Sequence, residues 1–352
     1  MSELRLSVVI PTHNRAHLVG RALRSVLSEI SPDDEVLVID DGSTDGTGQV
    51  VQAFQDNRIR YIWQANAGAG PARNRGIREA TGDLLAFLDS DDEWLPGRVE
   101  LQRRFMAARP DILFSFTDLA RDFDGHRHPT VLKCWRDDTN GWKEAMGSPK
   151  RFSWLAALPQ GIPDLDVYIG DIYRVEMHAS YLSAICMMVR RREVGDAIRF
   201  AEGVATFEDW ECFGHLAQLG RTAHLDFVGA LQHRHPGPRI TDPDWVARAE
   251  SRLVVLKNVW GSDAEFLSRH GAEYNAVVYS QQLAKVRGLL VLGRTRQARH
   301  EILKLTGVPL SYRLAAWMPG PLVGVLVEAG RALRDRMRST GSLATVEEEM
   351  AQ

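Results

Sequence analysis

Three carboxylates follow a short apolar segment in the first third of the chain. Asp89, Asp91 and Asp92 stand in Phe87-Leu88-Asp89-Ser90-Asp91-Asp92, and the residues before Asp89 have the composition of a buried β-strand. Alternate side chains at a strand end can point into one crevice, and carboxylate oxygens are ligands that Mg²⁺ and Mn²⁺ prefer. A single aspartate would indicate only a polar turn. Three in four residues predict a divalent cation site that also takes phosphate oxygens.

A second acidic turn stands after an earlier apolar run. Asp40 and Asp41 end the run Val36–Asp41 and precede Gly42-Ser43-Thr44-Asp45. A carboxylate in this position can accept hydrogen bonds from a nucleobase or from ribose hydroxyls. An Asp-Gly-Ser sequence by itself is typical of an ordinary turn. Here, however, acidic residues follow a predicted strand for a second time, and this repetition indicates a nucleotide site.

An acidic pair also begins a helix-like segment farther along the chain. Glu208 and Asp209 stand in Thr206-Phe207-Glu208-Asp209-Trp210-Glu211, and the apolar spacing from Phe207 to Leu219 is helical. A carboxylate close to a substrate hydroxyl can act as a general base. The alternative is structural, with Thr206 as the N-cap of a capping box and the acids favouring the helix N-terminus.

Strands and helices alternate in the segment that carries the first two acidic turns. Short β-branched apolar runs precede segments of helical spacing, which is the pattern of consecutive βα units. The predicted strands are Leu6–Ile10, Glu35–Ile39, Ile59–Trp63 and Leu84–Leu88. Such units form a doubly wound, mostly parallel α/β sheet flanked by helices, and ligands bind at the carboxyl ends of its strands.

The later part of the chain is less regular and then becomes helical. Residues 118–175 carry several tryptophans, prolines and glycines, and we expect long loops that shape a cleft. The sequence predicts a first domain over 1–244, with halves at 1–117 and 118–244. A C-terminal helical subdomain follows over 245–352.

Four ordered motifs between residues 5 and 96 resemble those of glycosyltransferase family 2, whose members have the GT-A fold. The motifs are Val9–Arg15, Val38–Asp45, Ala72–Gly76 and Asp89–Asp92. The resemblance implies a nucleotide-sugar site that includes Arg73 near the base or diphosphate and the Asp89-Ser90-Asp91 element, with Asp91 and Asp89 at the metal. The other residues of this implied site are Pro11, Thr12, His13, Asn14, Asp40 and Asp41.

The resemblance also assigns roles to later residues. Asp209 matches the aspartate that serves the family as catalytic base, and Glu208 is the other member of the acidic pair. His235 matches the histidine of a late arginine-x-histidine element that approaches the metal or the diphosphate, although His233 replaces the arginine. His13 stands where the family often has tyrosine.

The implied function is that of an inverting glycosyltransferase, with 1–244 as its catalytic domain, 1–117 as the donor-binding half and 118–244 as the acceptor and catalytic half. The donor would be a nucleoside diphosphate sugar, with UDP-sugars favoured, the acceptor a saccharide or glycolipid hydroxyl, and the cofactor Mn²⁺ or Mg²⁺. One direct displacement inverts the anomeric configuration. The pathway would be polysaccharide or glycoconjugate biosynthesis. A non-catalytic nucleotide-sugar-binding scaffold is the alternative. An NAD(P)-dependent oxidoreductase is a remote one, because the glycine-rich loop at 68–73 has Arg73 in place of the third glycine of the fingerprint.

Composition limits the partners and the compartment. The net charge of -3 gives no general attraction to nucleic acid, and three widely spaced cysteines indicate neither disulfides nor a zinc site. The N-terminal residues lack the pattern of a signal peptide, so we expect a cytoplasmic protein. Residues 312–337 predict a basic amphipathic helix. It either contacts the anionic inner face of the membrane or docks on the catalytic domain, and docking is favoured.

Overall fold

The computed structural model of the protein describes residues 4–123, 126–128, 141–204, 206–233, 245–320 and 323. The chain divides into two compact units. Unit 1 comprises Met1–Pro238 and Asn258–Asp263, and unit 2 comprises Arg239–Lys257 and Ala264–Gln352.

The first four strands of unit 1 are parallel to one another, as the βα pattern predicts. They are β1 (Leu6–Thr12), β2 (Glu35–Asp41), β3 (Ile59–Gln64) and β4 (Leu84–Phe87). In sheet order, β1 lies between β2 and β4, with β3 beyond β2. The chain therefore changes direction across the sheet between β1 and β4, and the residues after β1, β2 and β4 lie at one edge. Ligands bind at such switch points in α/β sheets.

Helices of unit 1 cover the parallel strands. They are α1 (Val19–Leu27), α2 (Thr47–Gln52), α3 (Ala69–Glu79) and α4 (Arg98–Ala108). Helix α3 packs on β1 and β2. Gly76 makes this approach possible, because a Cβ at that position would lie 2.3 Å from Cγ1 of the buried Val9. The helix and the strand can touch here only without a side chain.

Beyond the four parallel strands, the sheet continues through seven more strands of the described residues. These are β5 (Glu93–Trp94), β6 (Phe114–Phe123), β7 (His126–His128), β8 (Lys150–Arg151), β9 (Asp166–Gly170), β10 (Met187–Arg190) and β11 (Thr222–His233). The full order is β3-β2-β1-β4-β10-β6-β11-β9-β8, with β5 paired to β11 and β7 to β6. Strands β7, β8 and β9 fall in the region 118–175 that was expected to be loops, and β6 begins before it and extends into it. The sequence pattern does not indicate β6, because Ser115, Thr117 and Asp118 are polar residues that are nevertheless buried.

Further helices complete unit 1 and position its later residues. They are α5 (Trp142–Met146), α6 (Tyr173–Glu176), α7 (Arg191–Val194) and α8 (Glu208–Gln218). The segment 258–263 also belongs to this unit, because Trp260 is buried and donates to the Tyr173 carbonyl oxygen at 2.9 Å. The expected division at 244/245 places this segment on the other side.

Unit 2 is helical. Its helices are α9 (Trp245–Asn258), α10 (Ala264–Val291, with a kink at His270), α11 (Thr295–Ile302) and α12 (Leu310–Ala315). Its buried core consists of Val246, Val286, Leu289, Leu290, Ala298, Ala316 and Val323. The predicted helix over 312–337 is interrupted, since α12 ends at Ala315 before Pro319, and the rest of it lies mostly outside the described residues. No helix among the described residues is long and apolar enough to span a bilayer.

Candidate active site

Arg73 joins two acidic residues from distant parts of unit 1. Its Nη2 donates to Asp89 Oδ1 at 2.7 Å, and its Nη1 donates to Glu208 Oε1 at 2.9 Å. The guanidinium group also lies 5.1 Å from the ring centroid of Phe200. Burial lowers the pKa of Arg73, but the Asp89 and Glu208 carboxylates raise it by more, so the side chain is a fixed cation. The sequence motif predicts Arg73 near the donor and does not predict this bridge.

The Asp89-Ser90-Asp91-Asp92 turn is held from two sides. The Asp92 amide donates to the Asp89 carbonyl oxygen at 3.0 Å, and the Arg21 guanidinium donates to the Asp91 carbonyl oxygen. Asp89 and Asp91 are half-buried, whereas Ser90 and Asp92 are buried. Asp92 Oδ1 accepts from the His233 amide at 2.9 Å. Asp92 therefore anchors the turn, and its two half-buried neighbours remain accessible.

Burial and charge distinguish the third carboxylate of this turn. Burial, together with the nearby Asp91 and Asp89 carboxylates, raises the pKa of Asp92 well above its usual value. The neighbouring His233 has a lowered pKa because of burial and the Arg21 cation. Its Nε2 lies 3.5 Å from Glu93 Oε1. His233 thus contacts the acidic turn, whereas His235, the predicted metal neighbour, lies outside the described residues.

The donor set suits a cation that is shared with a substrate. Among the residues the structure describes, no cluster of three or more His, Cys, Asp or Glu side chains can enclose a metal ion. Asp89 uses one oxygen for Arg73, so a cation here would take Asp91 and the second Asp89 oxygen as its carboxylate donors. Mg²⁺ is commonly held by one or two carboxylates plus phosphates and water. The residues therefore fit Mg²⁺ or Mn²⁺ in a complex with a diphosphate.

Asp40 and Asp41 hold the loops that follow β2 and β3. Asp41 accepts from the side-chain amide of Gln64 at 2.7 Å. It also accepts from the main-chain amides of Ala67 at 2.9 Å and Gly68 at 2.7 Å. Asp40 is similarly occupied, by the Ser43 amide and the Tyr61 hydroxyl. Both carboxylates are buried. The part of each in nucleoside binding stays a prediction.

His13 and Asn14 lie beside these loops at the end of β1, after the buried Pro11 and Thr12. His13 is exposed, and its Nδ1 lies 2.8 Å from the Asp41 carbonyl oxygen. Asn14 has φ 53, a left-handed conformation that asparagine tolerates, and its Oδ1 accepts from the Thr44 amide at 2.8 Å. The structure thus brings the β1 and β2 motifs together.

Asn74, which stands next to Arg73, holds the segment that leads to the acidic pair. Its Oδ1 accepts from the Phe200 amide at 2.9 Å, and its Nδ2 donates to the Phe200 carbonyl oxygen at 2.9 Å. Gly70 allows the same close approach, since a Cβ there would lie 2.3 Å from the Ala201 carbonyl oxygen. Helix α3 therefore sets the position of residues 200–208.

Asp209 lies in the first turn of α8, close to the Arg73 bridge. The helix N-cap is Phe207, with φ 65, and it has no side-chain cap hydrogen bond, so Thr206 does not form the capping box. Burial raises the pKa of Asp209 to about 7, with Glu208 and Asp89 adding to the rise and Arg73 opposing it. A carboxylate with this pKa can accept a proton near neutral pH.

Glu176 is a further carboxyl behind α8 that the sequence did not indicate. It is fully buried, Oε2 accepts from the Tyr181 amide at 3.0 Å, and its carbonyl oxygen accepts from Trp210 Nε1 at 2.8 Å. Burial raises the pKa of Glu176 well above its usual value, and the nearby Asp209 charge contributes. Nothing in the local sequence distinguishes it from a surface glutamate on a helix.

Comparison with known proteins identifies the class. Residues 7–153 match the family model described as "Glycosyl transferase family 2". A putative teichuronic acid biosynthesis glycosyltransferase, TuaG of Bacillus subtilis, is 39% identical over 32% of this chain and 45% of its own length. An uncharacterized glycosyltransferase of Rickettsia conorii is 39% identical over 33% of this chain and 19% of its own length. The alignments thus span less than half the length of these relatives.

Solved structures show the same fold. A TarS structure from S. aureus in complex with UDP-GlcNAc has a TM-score of 0.57 at 17% identity, covering 89% of this chain and 90% of that one. The mannosyltransferase PcManGT from Pyrobaculum calidifontis, in complex with GDP-Man and Mn²⁺, has a TM-score of 0.54 at 17% identity, covering 95% and 81%. The predicted fold class is confirmed. Residues 7–153 therefore match glycosyltransferase family 2, and the chain has the GT-A fold.

Proposed function

We propose that the chain is an inverting glycosyltransferase that transfers a sugar from a nucleoside diphosphate to an acceptor hydroxyl. The observation that carries the proposal is the Arg73 bridge. It brings the acidic turn after β4 and the acidic pair of α8 together through bonds to Asp89 and Glu208. Such an arrangement combines a diphosphate site with a proton acceptor, which are the two parts that the reaction requires.

The donor side comprises the ends of β1, β2 and β4. His13, Asn14 and the loop held by Asp41 lie beside one another at this edge. The solved relatives bind UDP-GlcNAc and GDP-Man, which supports a nucleoside diphosphate sugar here. We assign a UDP-sugar as the donor, with the nucleoside over His13 and the Asp41 loop.

Asp91 and Asp89 are the residues that would hold Mn²⁺ or Mg²⁺. When bound, the divalent cation supplies Lewis-acid stabilisation for the charge that develops on the leaving diphosphate. The two carboxylates lie at a half-buried edge, while the buried Asp92 fixes the turn. Arg73 adds a permanent positive charge beside Asp89.

Asp209 is the proposed general base. Its pKa of about 7 leaves a large ionised fraction at neutral pH and keeps the carboxylate basic enough to take the acceptor proton. Glu208 positions Arg73 and keeps the local potential negative. Attack by the deprotonating hydroxyl in one displacement inverts the anomeric carbon, and the electron pair of the broken bond leaves on the diphosphate oxygen.

The acceptor is assigned more broadly, as a saccharide or glycolipid hydroxyl in polysaccharide or glycoconjugate biosynthesis. A relative in Escherichia coli, 37% identical over 30% of this chain, is named as a glucosyltransferase acting on a GlcNAc-diphosphoundecaprenol. A Campylobacter jejuni relative, 42% identical over 26% of this chain, is named for another undecaprenol-linked glycan. These names support a lipid-linked glycan as the first acceptor to test.

A screen of nucleotide sugars tests the proposal on the full-length protein. Melting temperature and nucleotide release are measured for UDP- and GDP-sugars, each with Mn²⁺, Mg²⁺ or excess EDTA. We expect one donor to raise the melting temperature only with metal and to be turned over when an acceptor is added. NMR of the product should show inversion at the anomeric carbon. Donor binding without turnover for every acceptor class would instead favour the scaffold.

A further inference from the structure

Unit 2 exposes large apolar side chains on one part of its surface. Leu303, Leu310, Leu314 and Trp317 have 85%, 67%, 61% and 78% of their surface exposed. In a helix, residues three or four positions apart share a face, so Leu310, Leu314 and Trp317 line one side of α12 and its continuation. We call these four residues the α11–α12 surface.

The opposite side of α12 and its continuation packs against the core of unit 2. Ala316 is buried in the unit 2 core, and Tyr312, Ala315 and Met318 pack against that core. Arg299 connects α11 to the exposed side, because it donates to the Ala316 carbonyl oxygen at 2.8 Å and its guanidinium lies 4.9 Å from the Trp317 ring centroid. Leu303 follows Arg299 by one helical turn. The exposed residues therefore lie together and are held by a folded core.

The charge around this surface is positive. Residues 294–313 contain five arginine or lysine residues and one glutamate. The two parts of the chain also differ in charge. Residues 1–244 contain 28 basic and 36 acidic residues, whereas residues 245–340 contain 15 basic and 7 acidic residues. Exposed leucine and tryptophan beside arginine is the composition of surfaces that lie in the interface of anionic bilayers.

We propose that the α11–α12 surface binds an anionic lipid bilayer, with Leu303, Leu310, Leu314 and Trp317 in the headgroup region and the neighbouring arginines on lipid phosphates. This is a contact of one face and requires no spanning helix. It goes beyond the transferase proposal and does not depend on it. A contiguous exposed apolar patch marks an interaction site, and the local basic charge selects anionic lipid over a neutral surface.

Vesicle sedimentation of the full-length protein, without nucleotide, tests the inference. Vesicles of phosphatidylcholine alone are compared with vesicles that also contain phosphatidylglycerol. We expect the protein to bind only the vesicles that contain phosphatidylglycerol, and we expect added salt to weaken this binding. Leu314→Ser with Trp317→Ser should lower the partition coefficient about tenfold or more, because burial of one large apolar side chain changes an equilibrium by roughly that factor. Arg296→Gln with Arg313→Gln should lower it by about fivefold per charge.

Matched controls come from unit 1. Trp154 is 76% exposed and the Arg192 side chain is 73% exposed, so Trp154→Ser and Arg192→Gln remove the same chemical groups elsewhere. Both should bind vesicles as the wild type does, and all variants should keep the wild-type melting temperature. Equal binding to both vesicle types, or unchanged binding by the Leu314 and Trp317 variant, would overturn the proposal. So would concentration-dependent self-association that this variant abolishes without any vesicle binding.

Discussion

Arg73 and Glu208 form an ion pair, with 2.9 Å between Nη1 and Oε1, across a separation of 135 residues. The pair links α3, which follows the third parallel strand, to the first turn of α8. Because Arg73 also binds Asp89, a charge change at any of these positions alters the electrostatic potential at the others. Asp209 lies close to this network, and its pKa depends on the charges of Glu208, Arg73 and Asp89.

Asp209→Asn should abolish transfer and keep donor binding. The amide retains the shape of the side chain and cannot accept the proton, so turnover should fall by about 10²–10⁴-fold. Calorimetry should show donor affinity with metal close to that of the wild type. Glu211→Gln is the matched control, because Glu211 lies in the same helical turn and contacts Asn258 at 3.1 Å instead of Arg73. Turnover within threefold of wild type would remove Asp209 from the mechanism.

The same substitution should stabilise the protein above neutral pH. The folded-state pKa of Asp209 is raised from 3.8 to about 7, so the folded state binds the proton more tightly than the unfolded state. Stability from this group is therefore present at low pH and declines as pH rises towards about 7. Asp209→Asn removes that decline. The melting temperature of the variant should exceed the wild-type value at pH 8 and converge with it near pH 4. A helix-cap role of Asp209 predicts instead that the variant has the lower melting temperature.

Glu208→Gln should shift the pH dependence of the reaction. Ionised Asp209 is the active form, so kcat/KM of the wild type should rise with pH and level off above about 7. The Glu208 charge raises the pKa of Asp209, and its removal should move the midpoint to lower pH. Arg73→Lys keeps the local charge and should leave the midpoint in place while lowering kcat. An unchanged midpoint in Glu208→Gln would assign the titration to another group.

Asp91→Asn should weaken metal-dependent donor binding and turnover together. The variant loses a charged oxygen donor at the half-buried edge, while Asp92 still holds the turn through the His233 amide. Calorimetric titration of donor with Mn²⁺ should show the loss, and the melting temperature without ligand should change little. Undiminished wild-type turnover in excess EDTA would eliminate the metal role of Asp89 and Asp91.

Gly76→Ala should destabilise unit 1 by overpacking. The new methyl group would meet Val9 Cγ1 at 2.3 Å, and forcing such a contact costs about 1–3 kcal/mol. Val9→Ala in the same chain should recover part of the loss, because it removes the opposing methyl groups. Gly271→Ala is the control, since its new methyl group would meet no atom of another segment within 4 Å and alanine favours a helix. Urea unfolding of the three variants measures the differences.

The parallel half of the fold could be predicted from the sequence because each of its strands contains three or more consecutive apolar residues. Strands β1 and β2 are buried along their whole length, and each was predicted with the correct start. Strand β6 was missed for the opposite reason, since its buried Thr117 and Asp118 are polar. Periodicity detects an apolar face and fails where a strand buries polar side chains.

The site was predictable to a similar extent. Asp89, Asp91 and Arg73 could be proposed as site residues because each stands in a short sequence motif. The Arg73–Glu208 contact and the buried Glu176 were not found, because tertiary packing creates them and no local pattern marks them. The pKa of Asp209 depends on the same packing. Residue types could therefore be proposed from sequence, while their coupling required the fold.

Asn74 makes a two-way contact that resembles a rung of a β-ladder, with a side-chain amide in place of a neighbouring strand. The segment from Phe200 onward is thus registered by main-chain atoms, which every amino acid supplies. The register therefore requires a side chain at residue 74 that both donates and accepts, and Asn74 Nδ2 also donates to Glu202 Oε1 at 2.9 Å. Aspartate at that position keeps only the accepting half, so the register of the approach to α8 rests on a single amide.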